Sequence, residues 1–293
     1  MEVKKIVTAV DLGPDTEAII SYATWLARLT GPGTSLMLLH VLDYALTPPS
    51  YLVRYIEDEK KQALAILGRW SLKLRDEQNV AAGYEVVMGR FIEAVGSYLR
   101  EKRSDVLVIG HRHHMLRSSS AGRLIRSLRQ PMLVVRGVKA KGIGLGAAEV
   151  RRILCPIDFS ENSKKALCWA GSLAKNVDAD LTVLHVHSDY NLLIDKDEHK
   201  EAKEMESYYS DSLADAGIEL SNLVKEIDAG QQPVSVVTRS GDPVAAINEI
   251  CSGTNIDLVV MGARGKAFFE GLLLGSVSES VVRASPCPVF ILH

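Results

Sequence analysis

The sequence lacks the features that mark several classes of protein. A formal net charge of only −2 gives no electrostatic reason to expect a nucleic-acid partner. No apolar run reaches the length of a membrane span, and Met1–Lys5 leads directly into a strand-like segment rather than a signal peptide. Only four cysteines occur, none in a C-x-x-C pair, which predicts buried, reduced thiols in a cytoplasmic protein: Cys155, Cys168, Cys251 and Cys287.

What the chain does have is an internal duplication. Five short patterns occur twice, in the same order, at separations of about 145 to 157 residues. They pair Ile6–Leu12 with Ile153–Phe159, Leu36–Val41 with Leu181–Val186, Gly89 with Gly241, Ser104–Gly110 with Ile256–Gly262, and Pro131–Val135 with Pro288–Leu292. This ordered set predicts one domain at 1–137 and a second at 151–293. The glycine- and lysine-containing stretch 138–150 is predicted to link them.

Within each repeat, short apolar runs alternate with longer amphipathic segments. Such alternation predicts an α/β fold with two tandem five-stranded, mostly parallel sheets and helices on both faces. Strands are expected near 5–11, 34–42, 82–88, 105–110, 132–136, 152–158, 179–187, 233–239, 256–261 and 288–292. Helices are expected near 15–30, 52–78, 90–102, 119–129, 162–176, 196–224, 243–252 and 276–285. Ligands of such sheets bind beyond the carboxyl ends of the strands, where the strand order reverses.

The second repeat carries a glycine pattern at the end of one predicted strand. The apolar run Ile256–Met261 ends on Gly262, Gly265 follows, and Gly275 then opens a segment with helical spacing. Glycine lets the backbone approach a ligand closely, and the first N–H groups of a helix attract anions. Together with the Ser276 hydroxyl, these features predict a phosphate cradle. Neither G-x-x-x-x-G-K-[ST] nor G-x-G-x-x-G occurs here.

Each of these residues also has a purely structural interpretation. Asp158 with Ser160 is a natural cap for the following helix, and Ser276 is a natural N-cap of its own. Gly262 and Gly265 are compatible with an empty turn. His185 points to the face opposite Val186 in a regular strand, which favours a packed histidine over a ligand.

The combination of Asp158–Ser163, Leu184–Val186 and the G-x2-G-x9-G-[ST] pattern from Gly262 to Ser276 resembles the universal stress protein family. The resemblance covers essentially the whole chain as two tandem copies. It implies a Rossmann-like fold of the adenine nucleotide α-hydrolase type, with ATP or a related adenine nucleotide (ADP or AMP) as ligand. Mg²⁺ is a candidate ion beside the phosphates. It also implies pairing of domains through the last strand. We therefore expect the two repeats of one chain to pair with each other, and two such chains to form a homodimer.

Carried over by position, the resemblance implies a set of residues that contact the nucleotide. Those expected near the adenosine are Pro156, Asp158 and Val186. Those expected under the ribose and around the phosphates are Met261, Gly262, Gly265, Gly275, Ser276 and Val277. Arg264 lies between two of the glycines, and we expect it to add a charge-assisted contact.

The first repeat departs from this pattern where the phosphates would bind. Asp11, Val41 and Gly110 are kept, but His113 replaces the second glycine, and Ser118 aligns with the third. We therefore expect no ATP in the first repeat. Its cluster of histidines and arginines from 111 to 126 leaves three interpretations open: a metal site, an anion site, or a solvated basic surface.

Three functions remain open from the sequence. The first is a nucleotide-dependent stress-response or signalling module without obligatory catalysis. The second is a slow ATPase or a nucleotidyl-transfer enzyme of the same fold, although no H-x-G-H or S-G-G-x-D-S pattern of adenylating enzymes occurs. The third is a scaffold that binds no nucleotide.

Overall fold

The computed structural model describes residues 3–31, 33–44, 53–110, 120–136, 144–187, 214–227, 229–265 and 274–293. By its internal contacts the chain divides into two compact units. Unit 1 comprises Met1–Glu149 with Cys287–Ile291 and His293, and unit 2 comprises Val150–Pro286 with Leu292. In the described part of the chain, no helix is both long and apolar enough to cross a membrane.

Unit 1 is built on a parallel sheet with strand order β3-β2-β1-β4-β5. Its strands are β1 (Lys5–Ala9), β2 (Ser35–Leu42), β3 (Ala82–Met88), β4 (Val106–Gly110) and β5 (Met132–Val135). Its helices are α1 (Thr16–Thr30), α2 (Val53–Gln78), α3 (Phe91–Lys102) and α4 (Ser120–Ser127). The elements expected for the first repeat are therefore confirmed to within a few residues at their ends.

Unit 2 repeats the arrangement with strand order β8-β7-β6-β9, again parallel. Its strands are β6 (Arg152–Ile157), β7 (Asp180–His187), β8 (Val234–Ser240) and β9 (Leu258–Gly262). Its helices are α5 (Glu161–Val177), α6 (residues 214–226), α7 (Pro243–Gly253) and α8 (Ser276–Ala284). The predicted helix at 196–224 falls partly outside the described residues, and 214–224 is helical as expected.

The final strand, β10 (Val289–Leu292), forms where the sequence predicts it. Its residues Val289–Ile291 group with unit 1, where they pair antiparallel with Met132–Val134 of β5. This pairing between β5 and β10 is antiparallel, whereas the pairings among β1 to β5 are parallel.

The cores of both units are formed by strands that are buried at almost every position. Strands β4, β5 and β9 are continuous apolar runs with no alternation of exposed residues. Such runs are typical of parallel strands with both faces covered by helices. An aspartate makes the same pair of hydrogen bonds at the amino ends of β1 and β6. Asp105 Oδ2 accepts from the backbone N–H groups of Lys4 and Lys5, and Asp257 Oδ2 accepts from those of Arg151 and Arg152.

The end of the predicted linker lies against unit 1. The N–H of Leu145 donates to Oε1 of Glu17 over 3.2 Å, and the N–H of Ala148 donates to the buried hydroxyl of Ser21 over 3.1 Å. Both acceptors are on α1. Residues 144–149 are thus tied to the first helix of the chain, while 137–143 lie outside the described residues.

Candidate functional site

The strand order of unit 2 reverses between β6 and β9. From β6 the chain goes outward to β7 and β8, then returns to place β9 on the other side of β6. In parallel sheets the carboxyl edge at such a reversal is the usual ligand crevice. Asp158 follows β6, and Gly262 ends β9, so the two predicted site residues lie on either side of this reversal.

A proline lies where the ladder at this reversal ends early. In unit 1 the ladder between β1 and β4 continues through Ala9 and Ile109. In unit 2 the corresponding ladder between β6 and β9 pairs only Ile153 with Leu258 and Leu154 with Val259. Pro156 aligns with Ala9 and has no N–H to donate, which is a physical reason for the earlier end of the ladder.

A tight turn follows β6 and fixes the Asp158 carboxylate. Oδ1 of Asp158 accepts from the N–H of Ser160 over 3.1 Å and from its hydroxyl over 2.6 Å. Phe159 between them adopts a left-handed conformation with φ 61°, which typically costs about 1–2 kcal/mol for a non-glycine residue. Ser160 in turn caps α5, accepting from the N–H of Ser163. The capping interpretation is therefore confirmed for Ser160, and Asp158 holds that cap in place.

Three hydrogen bonds tie the end of β9 to the start of α8 and to this turn. The carbonyl of Arg264 lies 3.3 Å from the Ser160 hydroxyl. The N–H of Gly275 donates to the carbonyl of Ala263 over 2.7 Å. The buried hydroxyl of Ser278 donates to the carbonyl of Gly262 over 2.9 Å. The structure thus brings the end of β9 and the start of α8 together beside the Asp158 turn, as the site hypothesis requires.

The three glycines of the pattern are present for different reasons. A Cβ on Gly262 would lie 2.9 Å from the backbone carbon of Asn162, so this glycine allows α5 to pack closely on β9. A Cβ on Gly265 would press on Oδ2 of Asp158. A Cβ on Gly275 would make only ordinary contacts, 3.4 Å or more from its neighbours. Packing therefore explains Gly262, whereas neither packing nor φ explains Gly275.

Helix α8 begins with its first N–H groups directed away from the helix body. Gly275 is the N-cap, with φ −75° and ψ 155°, and no side chain caps the helix among the described residues. Ser276 is the first helical residue and is exposed. The interpretation of Ser276 as an N-cap is therefore wrong, because Gly275 holds that position. The start of the helix combines unpaired N–H groups, the positive end of the helix dipole and an exposed hydroxyl.

The remaining predicted residues lie on the same carboxyl edge. Met261 is buried, while Pro156, Val186, Arg264 and Val277 are partly exposed. Val186 lies near the end of β7, where it pairs with Arg239 of β8.

His185 is a packed histidine, as the alternation along the strand predicts. Its Nδ1 lies 2.8 Å from the carbonyl of Ile157, and its ring lies 4.7 Å from that of Phe159. His40 makes the same contact with the carbonyl of Val10 in unit 1. Because the contact recurs in both units, it belongs to the fold.

The expectation of four buried thiols holds for three of them. Cys155, Cys251 and Cys287 are buried, and burial raises the pKa of the Cys155 thiol well above its usual range. Cys168 is exposed on α5, so the prediction was wrong there. None of these four cysteines, all of which lie in described parts of the chain, forms a disulfide.

The corresponding edge of unit 1 is different. Asp11 makes the same turn, accepting from the N–H of Gly13 over 3.0 Å, and Leu12 has φ 58°. The side chain of Ile19, however, lies directly against Gly110. The predicted loop residues 111–119, including His111, His113, Ser118 and Ser119, lie outside the described residues. Within the described ranges, no cluster of three or more histidine, cysteine, aspartate or glutamate side chains is placed to hold a metal ion.

Two contributors to the site were not found from the sequence. Asn162 sets how closely α5 approaches Gly262, and Ser278 ties α8 to β9. The second carried a signal, since Ser278 lies two residues after Ser276 in the first turn of a predicted helix. The first depends on a long-range approach of helix and strand that local pattern does not encode.

Unit 2 is thus a doubly wound α/β unit with a glycine loop and an open helix start at its strand reversal. Comparison of the sequence with known protein families identifies the family. Residues 2–136 and 149–293 match the profile of the universal stress protein family. The chain belongs to that family, as a tandem of two of its domains.

Individual proteins of known sequence or structure are similar to this chain. A putative universal stress protein of Staphylococcus aureus (strain USA300) is 30% identical over 146 residues, covering 49% of this chain and 84% of the relative. The crystal structure of a universal stress protein from Archaeoglobus fulgidus matches 98% of this chain and 95% of its own, with a TM-score of 0.69 and 20% identity. A universal stress protein in complex with cAMP matches 50% of this chain and 98% of its own, with a TM-score of 0.37 and 24% identity.

Proposed function

We propose that unit 2 binds ATP, or ADP or AMP, at the carboxyl edge between β6 and β9. The protein would then act as a nucleotide-dependent module of a stress response. The observation that carries the proposal is the start of α8. Gly275 occupies an N-cap position where a serine would fit, and it leaves the first N–H groups of the helix open toward the Gly265 loop.

The turn after β6 supplies the other half of the proposed site. Asp158 is held by Ser160, and its Oδ2 lies where a side chain on Gly265 would be. A carboxylate at this place accepts hydrogen bonds from ribose hydroxyls, while the N–H groups of α8 bind phosphate oxygens. Pro156, Val186 and Met261 would complete the adenosine side, and Arg264 and Val277 the phosphate side. Mg²⁺ would bind through the phosphates themselves.

Unit 1 is proposed not to bind ATP in this manner. The ladder between its central strands β1 and β4 extends two residue pairs further than that between β6 and β9, through Ala9 and Ile109. The Ile19 side chain also lies directly against Gly110. We expect both features to leave less room for a ligand at this edge than in unit 2, where the ladder ends before Pro156. The role of unit 1 would be that of a paired partner domain, and we expect a cytoplasmic homodimer.

Calorimetry with ATP, ADP and AMP, each with and without Mg²⁺, tests the proposal. Gly265→Val should remove binding, because its side chain would displace the Asp158 carboxylate. Gly253→Ala is the matched control, since a Cβ there meets nothing within 4 Å at the far end of α7. Equal affinity in both variants would overturn the proposed site.

Slow hydrolysis is the alternative that the same sample can separate. Release of phosphate faster than about one per minute, lost in Gly265→Val, would identify an ATPase, since ordinary enzymes turn over at about 1–1000 per second. Binding without such turnover supports the module.

A further inference from the structure

In each unit the outermost strand is contacted by a helix that carries a glycine. In unit 1, α2 crosses β3, and Gly68 lies over Tyr84: a Cβ on Gly68 would be 3.2 Å from the Tyr84 hydroxyl. In unit 2, α6 crosses β8, and a Cβ on Gly217 would lie 3.9 Å from Cγ2 of Thr238. The Tyr84 ring of unit 1 therefore lies against the helix at Gly68, with 43% of the residue still exposed.

The strand registers show which residue of unit 2 replaces Tyr84. Tyr84 pairs with Leu38, two residues before His40, and Val236 pairs with Val183, two residues before His185. His40 and His185 make the same hydrogen bond, so they align the two units. Val236 thus occupies the register position in β8 that Tyr84 occupies in β3, and its side chain lacks the aromatic ring.

A groove of about 510 Å³ lies at this place between α6 and β8. Its helix wall includes Gly217, Ile218, Asn222 and Lys225, which share one face of α6. Its strand wall is Val236 and Thr238. The volume falls in the range of small-molecule sites, about 300–1,000 Å³.

The walls of the groove differ in character along its length. Ile218 is 62% exposed and Val236 is 36% exposed, so an apolar ring placed between them would remove apolar surface from water. Lys225 lies about 12 Å along the helix from Gly217, at a rise of about 1.5 Å per residue. Its ammonium is 3.5 Å from Oδ1 of Asn222. The groove therefore has an apolar part that fits a ring and an end with cationic character.

We propose that this groove binds a small aromatic carboxylate, in which a planar ring and a carboxylate are joined by a short aliphatic chain. The ring takes the position that the Tyr84 ring has against the helix in unit 1, and the carboxylate pairs with Lys225. None of these residues belongs to the nucleotide site, so the proposal is independent of the proposed function.

To test the proposal, the protein is titrated with 3-(4-hydroxyphenyl)propionate, and binding is measured by ligand-observed saturation-transfer NMR. We expect saturable binding with a dissociation constant below about 5 mM, as a ligand of this size can reach. Val236→Tyr copies unit 1, fills the groove and should weaken binding at least tenfold. Lys225→Gln should weaken binding about tenfold by removing the charge-assisted contact.

Two controls make the result specific. Lys164→Gln removes a partly exposed lysine on α5 and should leave the affinity unchanged. 4-Ethylphenol, which has the ring without the carboxylate, should bind at least tenfold more weakly than the acid. Absence of saturable binding to the wild-type protein would overturn the proposal. So would equal affinity in Val236→Tyr or in Lys225→Gln, the second of which keeps the groove open and changes only a surface residue.

Discussion

The start of α8 allows stability and ligand binding to be separated by a single substitution, Gly275→Ser. The backbone of Gly275, at φ −75° and ψ 155°, nearly matches that of Ser160, at φ −72° and ψ 157°. Ser160 caps α5 by accepting from the N–H of Ser163. A serine at 275 should accept from Ser278 in the same way, and its Cβ has room, with the nearest atom 3.4 Å away.

The magnitudes follow from the two roles of those N–H groups. A serine N-cap is better than glycine by a few tenths of a kcal/mol, and replacing glycine lowers the entropy of the unfolded chain by about 0.4–1 kcal/mol. The free energy of unfolding should therefore rise by about 0.6–1.3 kcal/mol. The new hydroxyl occupies an N–H that the phosphate needs. Since a hydrogen bond to a charged group contributes about 1.5–3 kcal/mol, ATP should bind roughly 10- to 100-fold more weakly.

Urea denaturation measures the first quantity and calorimetry with ATP the second. A variant that is at least as stable as the wild-type protein and binds ATP weakly supports a phosphate site at the helix start. A variant that is equally stable and binds ATP with unchanged affinity would refute the reasoning, because the helix N–H groups would then have no role in binding. Gly253→Ala serves as the control for a glycine replacement elsewhere in unit 2.

Three further outcomes are expected. Gly262→Ala should lower the free energy of unfolding by about 1–3 kcal/mol in urea denaturation, because its Cβ would meet backbone atoms of Asn162 that cannot move independently. Ser278→Ala should lower it by about 1–2 kcal/mol, because a buried carbonyl at Gly262 loses its partner; a change below about 0.3 kcal/mol would contradict this. A thiol reagent should modify one cysteine per native chain quickly, the exposed Cys168, while Cys155, buried with a raised pKa, reacts only on unfolding.

Much of the fold could be predicted because hydrophobic pattern and glycine positions are local signals. The run Ile256–Met261 ends at the strand terminus that its pattern indicates, and the helix after Gly275 begins at Ser276 as expected. The duplication strengthened the prediction of secondary structure, because each pattern of strand or helix occurs in both repeats. The cap at Ser160 also followed from residue type, because serine and aspartate are favoured at helix N-termini.

Other parts of the site depend on contacts between distant segments. The glycine at 262 was interpreted through a ligand, yet its missing Cβ is required by Asn162 on α5. The antiparallel pairing of β10 with β5 joins segments about 155 residues apart, which periodicity does not encode. The early end of the ladder at Pro156 became visible only beside Ala9 of unit 1. Comparison of the two repeats therefore revealed this difference in strand pairing, which the pattern of either repeat alone did not.

The measurement that tests the central claim most directly is the number of ATP molecules bound per chain, determined by calorimetry on the wild-type protein. One site per chain, with binding lost in a Gly265→Val, Ser276→Ala double variant, is the predicted result. Two sites per chain would contradict the difference drawn between the units. No binding to a folded protein would contradict the assignment of the carboxyl edge of unit 2 as a nucleotide site.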